Sequence, residues 1–296
     1  MRINLWGQIQ ESFGFSTPSL DVRTEKVVVK VPITHDDVAG HFGILPAYKM
    51  AAFTLMGGVY ILQTSDWCES NSYPIIQMLE IELNRIVIPG DLLEIEVTVE
   101  LADDVNTWNV IGKGMVSGEL AFTTKYVLKA GSLDELKAYY ERYSTHSSKV
   151  WSSLPNVVVN DILPHDMTSQ VGAIDGLLDS ESGMGYRTIK PHDCFRAAGS
   201  SVYVLASYRL LEAIGQTCGC RILSEEGNGG KIPIFFKKQS LRIRSFKPVL
   251  VGQVVYMLPD KQESYLSGET SPFAKLVGDY RLLSPEMLKR LTKDHL

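Results

Sequence analysis

Cysteine is scarce in this chain, which has four thiols in 296 residues. So few cysteines, so unevenly spaced, exclude the disulfide framework typical of small secreted proteins. Cys218 and Cys220 form a Cys-x-Cys pair, but no second Cys or His cluster lies nearby in the sequence to complete a tetrahedral metal site. We favour core-filling thiols over a metal site at this pair, and we predict neither a metal nor a cofactor.

Long apolar runs are also missing. Gly, Pro or charged residues interrupt each apolar stretch before it reaches the roughly 20 residues that a membrane-spanning helix needs. The opening residues contain no basic leader followed by an apolar core, which is the pattern of a secretory signal. We therefore expect a cytoplasmic protein that makes no membrane contact.

The composition that remains is ordinary for a globular protein, with 45% hydrophobic and 21% charged residues. This length suits two domains of roughly 100 to 150 residues. The net charge is -5, yet residues 227–259 contain six basic residues and no acidic one. Nucleic acid is an unattractive partner for this basic stretch, because the rest of the chain is acidic and no aromatic platform accompanies it.

The chain contains two copies of one plan. Pairing residue n with residue n+160 aligns Tyr48-Lys49-Met50 with Tyr208-Arg209-Leu210, in two segments that are apolar around most of a helix. Alternating strands follow each helix, with a Pro-Gly-Asp turn at 89–91 in the first copy and Gly252 at the matching place in the second. This order of elements predicts an α+β fold in which each sheet wraps around one buried helix.

A further strand is expected before each helix. In the first copy it is residues 25–33, and in the second it is either 168–178 or 185–190. Ser132 and Glu135 form a Ser-x-x-Glu capping box, which predicts a helix at the junction between the copies. A last helix is expected from Pro285.

The sequence resembles the 3-hydroxyacyl-ACP dehydratases of the FabZ/FabA type. In the second half the matching residues are Leu163-Pro164-His165, Asp193-x-Phe195-Arg196 and Glu212-Ala213-x-x-Gln216; in the first half they are Gly40-His41-Phe42, Leu45-Pro46 and residues 84–100. The resemblance implies a double hot-dog fold, a pseudo-dimer in one chain with two antiparallel sheets, each wrapped around a long central helix. It implies four parts: an N-terminal arm (1–24), a first hot-dog domain (25–131), a linker with a helix (132–155) and a second hot-dog domain with a C-terminal helix (156–296).

The departures from the family pattern are reciprocal. In that family a His before the central helix of one subunit meets an acid within the helix of its partner. The first half here keeps His41 but has Ala52 at the acid position, whereas the second half keeps Glu212 but has Ala198 at the His position. The resemblance therefore implies one composite site, with His41 as base and Glu212 as acid.

Such a pair suits the removal of water from a 3-hydroxyacyl thioester. An imidazole takes up a proton readily near neutral pH, and burial helps a carboxyl group to keep the proton that it donates. Gln216, one helical turn after Glu212, is expected to orient the carboxyl group; Met56 occupies the matching position in the first half. Free N–H groups at a helix start can hold a thioester oxygen, so Gly43, Pro46 and Ala47 are further candidates.

Some alternatives remain at the residue level. Only four residues separate His41 from Pro46, a shorter turn than the family usually has, and His35 is the alternative base. Taken singly, Glu212 and His41 also fit a solvent-exposed acid and a structural loop histidine.

The expected partner is an acyl carrier protein or a CoA-linked acyl substrate, in fatty-acid or polyketide biosynthesis. Acyl carrier proteins are acidic, so the basic stretch is a candidate docking patch; an ordinary solvated strand face explains it equally well. A homodimer is also possible. The patch residues are Lys237, Lys238, Arg242, Arg244 and Lys247.

Two other classes of function fit the same resemblance. One is a non-catalytic hot-dog module that binds an acyl group or its carrier. The other is a different hot-dog enzyme, either a thioesterase or an acyltransferase/decarboxylase, because one fold supports several reactions.

Overall fold

The structure is a computed structural model. It describes residues 19–23, 26–64, 72–104, 106–143, 159, 162–163, 173–178, 182–196, 203–243 and 249–293. Among these residues, no helix combines the length and apolar character needed to cross a bilayer.

Two long helices, one in each half, are the centre of the fold. They are α1 (Ala47–Thr64) and α3 (Leu210–Leu223); α2 (Leu133–Tyr143) and α4 (Pro285–Lys293) are peripheral. The strands of the first half are β1 (Ser19–Arg23), β2 (Lys26–Pro32), β3 (Ser72–Leu83), β4 (Leu92–Leu101), β5 (Thr107–Val116) and β6 (Glu119–Ser132). The second half contributes β7 (Gly176–Leu177), β8 (Gly185–Thr188), β9 (Cys194–Arg196), β10 (Tyr203–Leu205), β11 (Ile232–Ile243), β12 (Val254–Leu258), β13 (Glu263–Leu266) and β14 (Ala274–Leu283).

One antiparallel sheet runs through both halves in the order β1-β2-β4-β5-β6-β3-β11-β14-β13-β12-β8-β7. Read from either edge, the two halves have the same order of corresponding strands. They join where β3 pairs with β11, and the pair Glu80 and Ser240 lies within this seam. These two residues are 160 positions apart, so the offset of the sequence repeat is also the register of the seam.

The turn before β4 and the turn before β12 have the same geometry. Gly90 and Gly252 have φ angles of +93° and +86°, a conformation that glycine adopts without the steric penalty of a side chain. The Gly90 N–H donates to the Ile33 carbonyl and the Gly252 N–H to the Ile189 carbonyl, each at 2.9 Å. The predicted equivalence of these two glycines is confirmed.

Each sheet half covers one central helix. Helix α1 packs on β2, β3, β4 and β5, and α3 packs on β8, β11 and β12. Strand β4 shows why, because Leu93, Ile95 and Val97 alternate with more exposed residues and direct one face toward the helix. Both helices are buried on most sides, as their apolar circumference predicts.

Some predicted elements differ in extent. Helix α3 begins at Leu210 after a 3-10 turn at Ser207–Arg209. Of the two segments expected to supply a strand before this helix, 185–190 contains β8, the counterpart of β2, whereas 168–178 contributes only β7. The counterpart of β7 is β1, which lies in the predicted N-terminal arm but pairs with β2.

Helix α2 lies within the predicted linker, 132–155, and Ser132 Oγ accepts the Glu135 N–H at 3.4 Å, one of the two bonds of the predicted capping box. The four domain boundaries stay a prediction.

Candidate active site

A tight turn between β2 and α1 positions His41. The backbone at Gly40, Phe42 and Gly43 is left-handed, with φ of +72°, +56° and +76°, and this reverses the chain within four residues. The His41 N–H donates to the Val38 carbonyl at 3.0 Å, and the Leu45 N–H donates to the Val87 carbonyl at 2.8 Å. The short turn therefore holds the imidazole close to the start of α1.

His41 meets Glu212, which projects from the first turn of α3. His41 Nε2 lies 3.2 Å from both carboxylate oxygens of Glu212. The side chains are 19% and 7% exposed, so both are largely shielded from bulk water. Two groups separated by 171 residues in the sequence, one from each half, thus form a direct contact.

Gln216 also binds the carboxyl group of Glu212. Its amide N–H donates to Glu212 Oε1 at 2.7 Å, and its own carbonyl oxygen accepts the Ile174 N–H at 3.1 Å. Because both ends of the amide are bonded, its orientation is set. Oε1 therefore contacts both the Gln216 amide and His41 Nε2, whereas Oε2 contacts His41 Nε2.

Tyr48 was recognisable from the sequence only as the repeat partner of Tyr208. In the fold its ring lies edge-on to the imidazole of His41, with centroids 6.2 Å apart and planes inclined at 61°. Burial, together with the nearby charge of Glu212, raises the pKa of the Tyr48 phenol well above its usual value. The residue therefore packs against the base as a neutral group.

A buried cation follows each of these tyrosines. Lys49 Nζ donates to the Asp37 carbonyl at 2.6 Å, and burial lowers the pKa of this amine. Its repeat partner Arg209 lies 3.6 Å from Asp193, which Arg187 also binds through two nitrogens, at 2.5 and 3.1 Å. Asp193 of the dehydratase-like motif is thus part of a buried charge cluster rather than of the His41–Glu212 pair.

An apolar cavity of about 120 Å³ opens beside the pair. Of the predicted site residues, His41, Pro46, Ala47, Glu212 and Gln216 line it, and Gly43 does not. The remaining lining residues come from the turn and α1 (Phe42, Ile44, Leu45, Tyr48), from α3 (Leu211, Gly215, Gly219) and from surrounding segments (Leu83, Leu163, Pro233, Ile234, Tyr280).

Two other predicted features can be located. His35, the alternative base, is exposed and does not line this cavity. Ala47 is the first residue of α1, a position whose N–H has no acceptor within the helix, and it does line the cavity.

The positions at which the two halves lack a catalytic residue are only partly described. Ala52 and Met56, which occupy the positions of Glu212 and Gln216, are fully buried in the core. Ala198 lies outside the described residues.

Cys218 and Cys220 are buried, which raises the pKa of Cys218 to about 11 and of Cys220 to about 12. Among the described residues, no cluster of three His, Cys, Asp or Glu side chains has the arrangement of a metal site.

The candidate docking patch is described at a few positions only. Arg242 is exposed on β11. Lys237 and Lys238 belong to the same strand, but only their backbone is described. Arg244 and Lys247 lie outside the described residues.

Comparisons with known proteins give similarity in structure but not in sequence. No protein-family model matches the chain, and no curated protein matches it significantly. An acyl-ACP thioesterase from Bacteroides thetaiotaomicron is similar with a TM-score of 0.55 and 10% identity, over 86% of this chain and 98% of that one. A putative oleoyl thioesterase from Lactobacillus plantarum has a TM-score of 0.55 and 11% identity, over 90% and 98%.

The 12:0-ACP thioesterase from Umbellularia californica has a TM-score of 0.51 and 10% identity, over 88% of this chain and 99% of that one. Identities this low carry information about the fold and not about the activity. Together with two helices, each wrapped by half of a mirrored antiparallel sheet, they identify the fold: this chain is a double hot-dog protein.

Proposed function

We propose that this chain is an enzyme that acts on acyl thioesters and that it removes water from a 3-hydroxyacyl thioester to give the trans-2-enoyl product. The observation that carries this proposal is the direct contact between His41 and Glu212 at the edge of an apolar cavity. Each half of the chain supplies one of the two groups. Neither half retains both, so the site requires the whole chain.

The geometry of the pair suits elimination. The proton to be removed is on C2 and the leaving hydroxyl is on the adjacent C3, so base and acid must lie close together. His41 Nε2 accepts the C2 proton, and Glu212 Oε2 donates a proton to the hydroxyl, which leaves as water. Afterwards the proton on Nε2 passes to Oε2 across their 3.2 Å contact, which restores the starting state.

The start of α1 supports the developing negative charge. Removal of the C2 proton moves negative charge onto the thioester oxygen, and the Ala47 N–H at the helix start can donate a hydrogen bond to that oxygen. Pro46 lacks an N–H and lines the cavity beside it. The carrier of the acyl group is then acyl carrier protein or CoA, with exposed Arg242 as a docking contact for an acidic carrier.

Thioester hydrolysis is the second candidate. The observation in its favour is that the three structural neighbours described above, each similar over most of this chain, carry the name thioesterase. In that reaction the same His41–Glu212 pair would act as a general base on a water molecule that attacks the thioester carbonyl. The two reactions therefore share residues but differ in product.

Product analysis separates these reactions. The purified protein is mixed with a 3-hydroxyacyl-pantetheine and with the saturated acyl-pantetheine of equal length, and mass spectrometry follows both. We expect a product lighter by one water from the first substrate, and loss of about 100- to 10,000-fold in rate in His41→Ala and in Glu212→Gln. His35→Ala is the matched control and should retain the rate, because His35 is exposed outside the cavity.

Each other result points to a different function. Free pantetheine released from the saturated substrate would establish hydrolysis instead. Binding with neither product would leave an acyl-binding module, and a normal rate in Glu212→Gln would refute the assignment of the pair.

A further inference from the structure

Two glycines of α3 lie on the same face of the helix as Glu212. Gly215 and Gly219 follow Glu212 by three and seven positions, spacings that place residues on one side of a helix. Both line the cavity that His41 and Glu212 border. The helix surface running away from the carboxyl group is therefore bare backbone.

The other half shows what the same positions contain where no acid is present. The repeat offset pairs Gly215 with Leu55 and Gly219 with Val59 on α1. Leu55 is 0% exposed and Val59 is 2% exposed, so both side chains fill core space. The helix that carries the acid thus lacks two side chains that its counterpart has, on the face that lines the cavity.

The far wall of the cavity lies close to these glycines. A methyl group added at Gly219 would lie 3.1 Å from Pro233 Cγ and 3.5 Å from Leu163 Cδ2. Tyr280 donates from its hydroxyl to the Gly215 carbonyl at 3.4 Å. Leu163, Pro233 and Tyr280 all line the cavity, and they form its wall beside these glycines.

The volume of the cavity limits what fits. At about 120 Å³ it is smaller than the cavity of about 150 Å³ that accommodates one benzene molecule in an engineered protein core. A chain of 10 or more carbons therefore has no room inside without displacement of the wall.

We propose that Gly215 and Gly219 form the floor of a short acyl channel, that Leu163 and Pro233 set its length, and that the substrates are short-chain acyl thioesters of about four to six carbons. This inference rests on the proposed function in that it takes an acyl thioester as the substrate. It is independent of whether the pair eliminates water or hydrolyses the thioester.

Calorimetric binding of unreactive substrate analogues tests the channel without turnover. The probes are acyl-pantetheine amides of 4, 6 and 10 carbons, in which nitrogen replaces the thioester sulfur. The wild type should bind the butanoyl and hexanoyl probes at least about tenfold more tightly than the decanoyl probe, because methylenes that the cavity cannot hold would have to displace its wall. Leu163→Ala should raise decanoyl affinity relative to butanoyl by about tenfold.

Two further variants complete the experiment. Gly219→Ala fills the floor and should weaken hexanoyl binding relative to butanoyl. Val59→Ala is the matched control: it removes side-chain volume at the repeat position on α1, outside the cavity, and should leave the ratio between probes unchanged.

The inference is overturned if the wild type binds the decanoyl probe as tightly as the butanoyl probe. It is also overturned if Leu163→Ala shifts the ratio no more than Val59→Ala does. Loss of binding at every chain length has a different meaning, because it removes the acyl thioester as substrate and the proposed function with it.

Discussion

A carboxyl group inside an apolar helix is costly to bury unless it has polar partners. Glu212 has two, the imidazole of His41 and the amide of Gln216, and both contact Oε1. Gln216 is itself held by the Ile174 N–H. The acid therefore has one orientation, and the amide that sets this orientation is a positioning residue.

Replacing Gln216 by Leu should lower kcat by about 10- to 100-fold with little change in KM. Removing this donor leaves a buried carboxyl oxygen without its amide partner, which costs about 1 to 3 kcal/mol, and it lets the carboxyl group turn away from the substrate. Steady-state kinetics on the 3-hydroxyacyl-pantetheine measures both constants. Met56→Leu, at the equivalent position of α1, is the control and should change neither; an unchanged kcat in Gln216→Leu would contradict the positioning role.

At the scale of elements, small residues set how closely α1 lies on its sheet. A methyl group added at Gly58 would lie 2.4 Å from Val110 Cγ1 on β5, closer than real atoms approach. On the sheet side, one added at Gly112 would lie 2.5 Å from Thr54 of α1. The glycine on each element thus lets its backbone lie against a side chain of the other element, so the helix and β5 pack closely.

Gly58→Ala should lower the free energy of unfolding by about 1 to 3 kcal/mol, because the extra methyl group forces the helix away from β5. Urea denaturation followed by circular dichroism measures this change. Gly229→Ala is the matched control, since nothing lies within 4 Å of a methyl group at that position. Equal unfolding midpoints in the two variants would show that the close approach is not limiting.

At the scale of the whole molecule, the two halves are continuous. One sheet crosses from β3 to β11, and one cluster of buried hydrophobic residues extends from Val27 in the first half to Leu276 in the second. The site itself takes His41 from one half and Glu212 from the other. We therefore expect both halves to unfold in one cooperative transition.

A substitution in the second half tests this cooperativity. All four tryptophans lie at or before position 151, so their fluorescence reports on the part of the chain before α3. Ile214→Ala, which creates a cavity on α3, should lower stability by about 2 to 5 kcal/mol and shift the tryptophan transition to lower urea. A shift in circular dichroism alone, with fluorescence unmoved, would mean that the halves unfold separately.

The repeat and the two central helices were predictable because apolar periodicity identifies α1 and α3. The candidate pair was predictable only through the resemblance to the dehydratase family, against which the complementary absences at positions 52 and 198 single out His41 and Glu212. Pro233 and Tyr280 gave no such signal. They reach the cavity only through the packing of distant segments, and their residue types are common in any core.

The sequence by itself determined the two-copy plan and the α+β class, because these follow from residue types at fixed spacings, and its resemblance to the dehydratase family identified the two groups that are candidates for the chemistry. Only the tertiary structure decided that Nε2 of His41 and the carboxylate of Glu212 lie 3.2 Å apart, and that Leu163 and Pro233 line the cavity beside them. Those distances depend on how β3 pairs with β11 and how each helix seats on its sheet. Side-chain contacts of this kind leave no pattern in the chain, because they depend on how distant segments pack together.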